Sequence, residues 1–372
     1  MFAVEPLVAV TRGPLVESWH MGALVVVDVS GRVVFSIGDP GLVTFVRSSA
    51  KPLQAIALVE SGAADHFGLT EAEIAVTTGS HNGEDFHTAA VSSILAKIGL
   101  GAEALACGVH APLHKPTARR LQEAGEKPTA LHNNCSGKHA GMLTLARHLG
   151  ASPEGYYQPD HPVQQLIRQI MAEMTDLGPE AIAIGVDGCG VPVFGLPLAN
   201  FALAYARLAD PRGLPAARQA ACARIVRAMQ AHPEMVGGTE RLDTDLMRAT
   251  RPRLIAKGGA EGYYAAGLLP DAAAGRPIGY GLALKVADGD VDGRARPVIV
   301  IEALRQLGVL GDEAPSRPDS PSRPPFRRVR RDGASEGELA ALARYRRAEV
   351  RNHRGEVVGE VRPVFQLARR VQ

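Results

Sequence analysis

The chain has 372 residues and 46% of them are apolar, so it can bury a sizeable core in one large domain or two. Its 41 basic and 39 acidic residues give a formal charge of +2, which offers no general argument for binding nucleic acid or a membrane surface. Four scattered cysteines are too few for a disulfide scaffold, so we expect a reducing, cytoplasmic environment with thiols that are free or bound to a metal.

The first predicted elements are strands. Residues 6–10 have the composition of a strand, and residues 23–29 and 32–37 predict a hairpin around Ser30-Gly31. The N-terminus lacks the basic start of a signal peptide, and no run of ~18 apolar residues free of charge predicts a membrane span. This hairpin leads towards a helix, which suggests a sheet flanked by helices.

The next stretch, residues 46–57, contains an S-x-x-K pair. If Ser48 opens a helix, Lys51 follows about one turn later and its amine lies beside the serine hydroxyl. A neutral amine can remove the serine proton, and S-x-x-K is a known acylating pair in serine hydrolases. The match is short, so a capping serine and a solvated lysine remain the alternative. Arg47 adds a second cation, and Ser49 is expected to be a cap residue.

A second group of polar residues follows a predicted strand at residues 74–78. Glycines bracket Ser80, His81 and Asn82, and polar residues that directly follow a strand often form a site. The alternative is that Ser80 and Asn82 serve only as turn and cap residues. A helix is predicted over residues 85–100.

Two of the four cysteines lie in turns that contain glycine. Cys135 precedes a helix predicted to run through Leu149, and Cys189 follows a strand-like stretch over residues 181–184. Lys138 and Asp187 supply polar partners close to them in sequence. Two cysteines are half of a tetrahedral zinc set, but no C-x-x-C spacing supports it, so the residues alone predict a metal site only weakly.

The later elements include a lysine at a strand end. Helices are predicted over residues 162–174, 198–208, 214–231 and 241–248, and strands over residues 278–286 and 297–301. A strand from Leu254 presents Lys257 before glycines that let the backbone approach a ligand closely. The alternative is an exposed lysine before a loop.

The composition changes near the C-terminus. Residues 314–331 contain five prolines and six arginines against one aspartate, about +5, which leaves the rest of the chain near −3 (2 − 5). We interpret residues 311–333 as a disordered or solvated insertion. It interrupts a single catalytic domain formed by residues 1–310 and 334–372. A helix over residues 335–348 and a hairpin turn at residues 352–355 complete the prediction.

Six ordered stretches carry a more specific signal than S-x-x-K alone. They are residues 47–52 (RSSAKP), 80–84 (SHNGE), 133–139 (NNCSGKH), 187–192 (DGCGVP), 232–236 (HPEMV) and 256–262 (AKGGAEG). Together they resemble the rhizobial-type, class 3 L-asparaginases (asparaginase II). The resemblance extends to about residue 305 and resumes at residues 354–359, so the insertion lies outside every motif.

The resemblance implies an α/β fold similar to the serine β-lactamases and penicillin-binding proteins, with a largely antiparallel central sheet flanked by helices, and a homodimer. It implies hydrolysis of L-asparagine to L-aspartate and ammonia. It also implies two catalytic pairs, Ser48 with Lys51 and Ser80 with Lys257.

The resemblance further implies a zinc ion held by Cys135, Lys138 and Cys189, with Asp187 nearby. We expect this zinc to organise the pocket and not to activate water, because zinc hydroxide sites usually have histidine and carboxylate ligands. Substrate binding is assigned to a further set of three residues. These are Arg47, His81 and Asn82.

In the mechanism that we expect, Ser48 is the nucleophile and Lys51 its base, while Ser80 and Lys257 relay a proton to the leaving ammonia. Lys51 must then be neutral, which burial and neighbouring cations favour. The sequence leaves the choice of nucleophile between Ser48 and Ser80 open.

Three alternatives remain at this stage. The chain could be a serine amidohydrolase that acts on glutamine or another amide. It could be a zinc-stabilised binding protein without turnover, although the intact serine and lysine set argues against this. Nucleic-acid binding through residues 317–331 is not expected, and salt-dependent binding that is lost on deletion of the segment would support it.

Overall fold

The structure is a computed structural model, and it describes residues 3–310, 342, 345, 348–351 and 356–367. The predicted insertion at residues 311–333, the helix over residues 335–348 in large part and the turn at residues 352–355 lie outside the described residues. In the part of the chain that is described, no helix is long and apolar enough to cross a membrane.

The described strands form two antiparallel sheets. Their bounds are β1 Glu5–Arg12, β2 Leu15–Asp28, β3 Val33–Ile37, β4 Val43–Phe45, β5 Ala183–Val186, β6 Pro192–Pro197, β7 Leu254–Gly258, β8 Tyr263–Leu268, β9 Tyr280–Val286, β10 Ala348–Arg351 and β11 Val357–Pro363. The large sheet has the order β10-β11-β1-β2-β9-β8-β7, with β3 also paired to β2, and the small sheet has the order β4-β6-β5.

Most of the described helices lie between strands β4 and β7 in the sequence. Their bounds are α1 Lys51–Glu60, α2 Ala63–His66, α3 Glu71–Thr77, α4 Asp85–Lys97, α5 Lys115–Glu123, α6 Ser136–His148, α7 Pro162–Thr175, α8 Leu198–Ala209, α9 Ala216–Ala231, α10 Pro233–Val236, α11 Leu242–Thr250 and α12 Ala295–Gln306. A short 3-10 helix, Arg47–Ala50, leads directly into α1.

The large sheet is covered by helices on both faces. Helix α8 packs against β2, β8 and β9, whereas α12 packs against β1, β8 and β11, and every residue of β8 is buried. Close packing of α8 requires glycine in β9, because a Cβ at Gly281 would lie only 1.7 Å from the carbonyl oxygen of Ala202. The expected α/β class, with a central antiparallel sheet between helices, is confirmed.

The helices α1, α3, α6, α7 and α9 pack against one another away from the sheet. Helix α1 is almost completely buried because its sequence is apolar on all sides, and Pro52 occupies its first turn, where a missing N–H costs nothing. This buried helix carries Lys51 into the interior of the protein. The predicted hairpin of β2 and β3 is confirmed by their antiparallel pairing.

Two predicted strands are wrong. Residues 74–78 belong to helix α3, which begins at a capping box in which Thr70 accepts from the backbone N–H of Glu73 and the Glu73 carboxylate accepts from the N–H of Thr70. Residues 297–301 lie within helix α12. Both stretches are short apolar runs buried in the core, and periodicity alone does not distinguish a buried strand from a buried helix segment in such runs.

Candidate active site

Ser48 lies in a turn that is set by an unusual backbone conformation. Arg47 has φ +49°, a left-handed value that is strained for a residue with a side chain. Two ion pairs hold this residue, since its Nε lies 2.9 Å from Asp187 Oδ1 and its Nη1 lies 3.8 Å from Glu261 Oε1. Ser48 is half-buried, and no other described residue hydrogen-bonds to its hydroxyl. This hydroxyl can therefore meet an incoming substrate.

Lys51 contacts Ser80 and not Ser48. Its Nζ lies 2.9 Å from Ser80 Oγ, 2.7 Å from the carbonyl oxygen of Gly79 and 3.3 Å from that of Asn134. The lysine side chain is 1% exposed, and burial lowers its pKa. A serine hydroxyl beside a buried amine of lowered pKa is the arrangement needed for proton transfer from an alcohol.

Ser80 is placed by the end of helix α3 and by a neighbouring segment. The chain leaves α3 through Gly79, and the N–H of Ser80 donates to the carbonyl oxygen of Val236 at 2.9 Å. A Cβ at Gly79 would lie 2.6 Å from the carbonyl oxygen of Met235, so only glycine allows this close passage. The Ser80 side chain is consequently held beside Lys51 with 5% of the residue exposed.

Lys257 is completely buried at the end of β7, which excludes the exposed lysine considered from sequence. Its Nζ lies 3.4 Å from Asp243 Oδ2 and 2.7 Å from the carbonyl oxygen of Gly258. Burial lowers its pKa to about 8, and the Lys51 charge acts in the same direction while Asp243 opposes it. No hydrogen bond joins Lys257 to Ser80 in the described structure, although the sequence predicted this pair.

Ser49 connects these two lysine-bearing elements. Its hydroxyl donates to the carbonyl oxygen of Lys257 at 2.9 Å, and its own carbonyl oxygen accepts from the Tyr205 hydroxyl at 2.7 Å. The expectation that Ser49 is a cap residue is wrong, because its completely buried side chain links the start of α1 to strand β7 instead.

The predicted metal ligands also come together. Lys138 Nζ lies 3.0 Å from Cys189 Sγ, which in turn lies 3.6 Å from Asp187 Oδ2. The Cys189 thiol hydrogen-bonds to Cys135, and Cys135 Sγ lies 3.3 Å from Lys51 Nζ. The group of Cys135, Lys138, Asp187 and Cys189, here called the thiol cluster, therefore touches the candidate catalytic amine directly.

Local backbone structure positions each cysteine of the thiol cluster. Cys135 is the residue before α6, where its N–H donates to the Asn133 side chain at 2.8 Å. Cys189 lies in the hairpin turn between β5 and β6, which closes through a bond from the N–H of Asp187 to the carbonyl oxygen of Val191. Gly190 has φ +86° in this turn, a value that favours glycine.

The charges in the thiol cluster complement one another. The hydrogen bond from Cys189 lowers the pKa of Cys135 well below its usual value, and Lys51 and Lys138 reinforce this effect. The same bond raises the pKa of Cys189, which keeps its proton. Burial opposes a charge on Lys138, but the two thiols outweigh it and raise its pKa. A thiolate at the start of a helix also gains from the helix dipole.

The thiol cluster contains donors of the kinds that zinc binds. Sulfur and carboxylate oxygen are ligand types of Zn²⁺, and bonds of ~2.0–2.3 Å place neighbouring tetrahedral ligands about 3.3–3.8 Å apart. The 3.0 and 3.6 Å separations around Cys189 are close to this range. Among the described residues, no three His, Cys, Asp or Glu side chains form a metal-binding group, so the set depends on Lys138 as a ligand.

His81 and Asn82 are engaged with protein groups. His81 is completely buried, with its Nε2 2.9 Å from Ser136 Oγ and its ring stacked on His87 at 4.7 Å. The Asn82 amide donates to the carbonyl oxygen of Thr239 at 2.9 Å, and its Oδ1 accepts from Arg241 at 3.1 Å. Both side chains therefore hold the segment that follows Ser80 in place through hydrogen bonds to other parts of the protein.

Sequence reasoning missed two charged residues of the site. Asp243 contacts Lys257, and Arg241 contacts Asn82. Both lie at the start of α11, a short helix whose sequence has no unusual spacing or composition. Nothing local distinguishes them from surface charges, and only the packing of α11 against β7 brings them to the site.

The described structure pairs a serine hydroxyl with a buried lysine amine, an arrangement that serine hydrolases use to activate the alcohol. The sequence pattern of the L-asparaginase II family matches residues 8–340. The chain belongs to the L-asparaginase II family, whose members are amidohydrolases. No curated protein matches it in sequence.

Solved structures to which the chain is similar include a probable glutaminase from Bacillus subtilis in complex with 6-diazo-5-oxo-L-norleucine. That chain is 14% identical, with 77% of this chain and 84% of that one covered and a TM-score of 0.39. A β-lactamase from Burkholderia ambifaria is 16% identical, with 76% and 94% covered and a TM-score of 0.34.

Proposed function

We propose that the protein is an L-asparaginase that hydrolyses the side-chain amide of L-asparagine to L-aspartate and ammonia. The observation that carries the proposal is the 2.9 Å contact between the Ser80 hydroxyl and the buried amine of Lys51, three residues along the chain from the half-buried Ser48. Family membership supports the reaction class, and the family name supports asparagine as the substrate.

In the proposed mechanism, Ser48 attacks the amide carbon and Ser80 links it to the base. A nucleophile must be reachable, and Ser48 is half-buried whereas Ser80 is 5% exposed. The Ser48 proton passes through the Ser80 hydroxyl to Lys51 as the Oγ–C bond forms. The C–N bond then breaks, and the departing nitrogen takes a proton from Lys257 and leaves as ammonia.

Water completes the reaction. Its oxygen attacks the acyl carbon, and its proton passes to Lys257, which regains its charge. The bond from Ser48 Oγ to carbon breaks, and the oxygen takes back the proton held by Lys51. Both serines and both lysines return to their initial states, and the net change is an amide and water converted to a carboxylic acid and ammonia.

Mapping of the covalent intermediate tests the nucleophile assignment. After a rapid acid quench during turnover, peptide mass spectrometry should find the acyl group on Ser48 in the wild-type protein. Ser48→Ala should lose both this adduct and turnover. Ser80→Ala should still form the adduct, but more slowly. An adduct on Ser80 would overturn the assignment.

Substrate choice is tested by ammonia release from L-asparagine and L-glutamine at matched concentrations. We expect a higher kcat/KM for asparagine. A higher value for glutamine would favour the rival activity, glutamine hydrolysis, on the same residues. Ammonia release from neither amide, despite stoichiometric binding, would favour the binding-protein alternative.

We also propose that Cys135, Lys138 and Cys189 hold a zinc ion, with Asp187 beside it. A bound zinc would fix the thiol cluster and, through Cys135, the position of the Lys51 amine. The measurement is metal content of the purified protein by elemental analysis. Cys135→Ala and Lys138→Met should lower it, whereas Cys222→Ala, a buried cysteine on α9, should leave it unchanged. Equal zinc in all variants would contradict the assignment.

Two further proposals concern assembly, which the resemblance implies, and location, which the four scattered cysteines suggest. We propose a homodimer, which sedimentation equilibrium measures directly as twice the 39.3 kDa of one chain. We propose a cytoplasmic location, which fractionation of the producing cells tests. A monomeric mass over the working concentration range would reject the first.

A further inference from the structure

We propose that Asp243 positions Lys257 and keeps its amine as the ammonium ion that protonates the leaving nitrogen. Nothing in the sequence motifs includes Asp243, which lies at the start of α11 and outside all six stretches that carry the family resemblance. The inference rests on the proposed amide hydrolysis and assigns a residue to its proton-donating step.

The contacts around Asp243 fix its carboxylate against one short segment of β7. Oδ2 lies 3.4 Å from Lys257 Nζ, and both carboxylate oxygens accept from the backbone N–H of Gly258 at 3.1 Å. Lys257 Nζ also donates to the carbonyl oxygen of Gly258 at 2.7 Å. Asp243 is therefore hydrogen-bonded to the backbone beside Lys257 as well as paired with its amine. These contacts fix the positions of the two side chains relative to each other.

Burial strengthens the effect of Asp243 on the charge of Lys257. Lys257 is 0% and Asp243 is 4% exposed, and an isolated charge at such depth is strongly disfavoured. A buried lysine without a counter-ion loses its proton at neutral pH, as buried lysines commonly do. A carboxylate at 3.4 Å reverses that tendency, because it favours the charged amine.

The other charges that face Lys257 are both positive. They are Lys51 on α1 and Arg241 before α11, and both act with burial to lower its pKa. The Asp243 carboxylate acts in the opposite direction, and the resulting pKa of about 8 leaves the ammonium form dominant at pH 7. Lys257 also lowers the pKa of Asp243, against the effect of burial, so the carboxylate stays ionised.

The arrangement gives the two lysines different tasks. Lys257 has a buried carboxylate partner, whereas Lys51 faces neutral acceptors and the thiol cluster. In the step assigned here, the C–N bond breaks, one proton moves from Lys257 Nζ to the departing nitrogen, and ammonia leaves a neutral Lys257. The proton of the hydrolytic water restores the ammonium ion beside Asp243.

The test compares the pH profile of kcat/KM in the wild-type protein with Asp243→Asn, Asp243→Glu and Asp245→Asn. Asp245 is the matched control, because its carboxylate lies on the same helix, is 6% exposed and contacts the Tyr345 hydroxyl instead of a lysine. Asp243→Asn should move the alkaline limb of the profile to lower pH by about one unit, a tenfold change in the Lys257 ionisation ratio. Asp243→Glu should restore much of that shift, and Asp245→Asn should leave the limb in place.

A second measurement needs no turnover and separates this inference from the proposed function. Titration of Lys257 by NMR of lysine labelled with ¹³C at Cε, assigned with Lys257→Arg, should show a lower pKa in Asp243→Asn than in wild type. An unchanged Lys257 titration, or an equal shift in Asp245→Asn, overturns the inference even if asparagine is hydrolysed. Absence of ammonia release with the expected titration shift overturns the proposed function and leaves the charge-holding role of Asp243 intact.

Discussion

Gly137→Ala should displace helix α6 from helix α3 and disturb the site that both helices position. A Cβ at Gly137 would lie 2.3 Å from the carbonyl oxygen of Val76 and 2.8 Å from its carbonyl carbon. These atoms belong to the last turn of α3, where the Val76 carbonyl oxygen also accepts from the N–H of Gly79. A backbone carbonyl cannot rotate away as a side chain can, so the two helices must separate by ~1 Å to reach van der Waals distance.

The expected loss of stability follows from two opposing effects. Overpacking of a well-filled interior costs about 1–3 kcal/mol, and a rigid backbone contact belongs at the upper end of that range. Alanine gains up to about 1 kcal/mol over glycine in a helix, and less at Gly137, which is the second residue of α6. We therefore expect a net loss of about 2 kcal/mol in the free energy of unfolding. Displacement by ~1 Å of the segment that holds Ser80 should also lower kcat by about 100-fold.

Gly141→Ala is the matched control, four residues later in the same helix. Its Cβ would meet the Thr77 side chain, with Cγ2 at 3.0 Å, and no backbone atom is among its nearest neighbours. The helix gain is larger at this interior position and the contact is with side-chain atoms that can adjust, so this variant should stay within about 1 kcal/mol of wild type. Urea denaturation followed by circular dichroism, with ammonia release on the same samples, measures both effects. Equal stability and wild-type turnover in Gly137→Ala would refute the reasoning.

Three further predictions concern single side chains of the site. Lys51→Arg should abolish ammonia release, since a guanidinium does not act as a base at neutral pH. Ser49→Ala removes the buried bond to the Lys257 carbonyl oxygen and should lower the free energy of unfolding by about 1 kcal/mol in urea denaturation. Burial lowers the pKa of His87 to about 4, so protonation of the unfolded chain should lower stability as pH falls from about 6.5 towards 4, by roughly 3 kcal/mol. Unfolding midpoints between pH 7 and pH 4.5 measure this loss, and His87→Gln should reduce its slope.

Controls for these variants come from neighbouring positions. Ser61→Ala, at the end of α1, removes two longer and less buried hydrogen bonds, of 3.3 and 3.4 Å, and should cost less than Ser49→Ala. Residual activity of Lys51→Arg close to wild type would exclude the lysine as base, and a flat stability curve below pH 6.5 would contradict a buried neutral His87.

The sequence identified the parts of the site because motifs depend on residue type and order. Ser48 and Lys51 could be placed at the start of a helix from the S-x-x-K spacing and the apolar residues that follow. The hairpin turn with Cys189 and the helix start with Cys135 could be recognised from glycine and polar residues nearby. These features are local, and local backbone preferences determine them.

The sequence could not determine which side chains face each other. The spacing of Ser48 and Lys51 predicted a contact between them, but a long lysine side chain reaches several ångströms and its direction depends on distant acceptors. The end of α3 and the Asn134 carbonyl oxygen draw Lys51 to Ser80. In the same way, a buried apolar run at residues 74–78 was predicted as a strand and is helical, because its capping box and its packing decide between the two.

What the sequence by itself determined is the set of reactive groups, the turns and helix starts that carry them, and a sheet flanked by helices, whose antiparallel order the family resemblance implied. What only the tertiary structure decided is their pairing and therefore their charge. Asp243 is an ordinary acid in a short helix until α11 packs against β7, and burial then makes its carboxylate the partner of Lys257. Electrostatic interactions depend on distance in space and on exclusion of water, and neither can be read from positions along the chain.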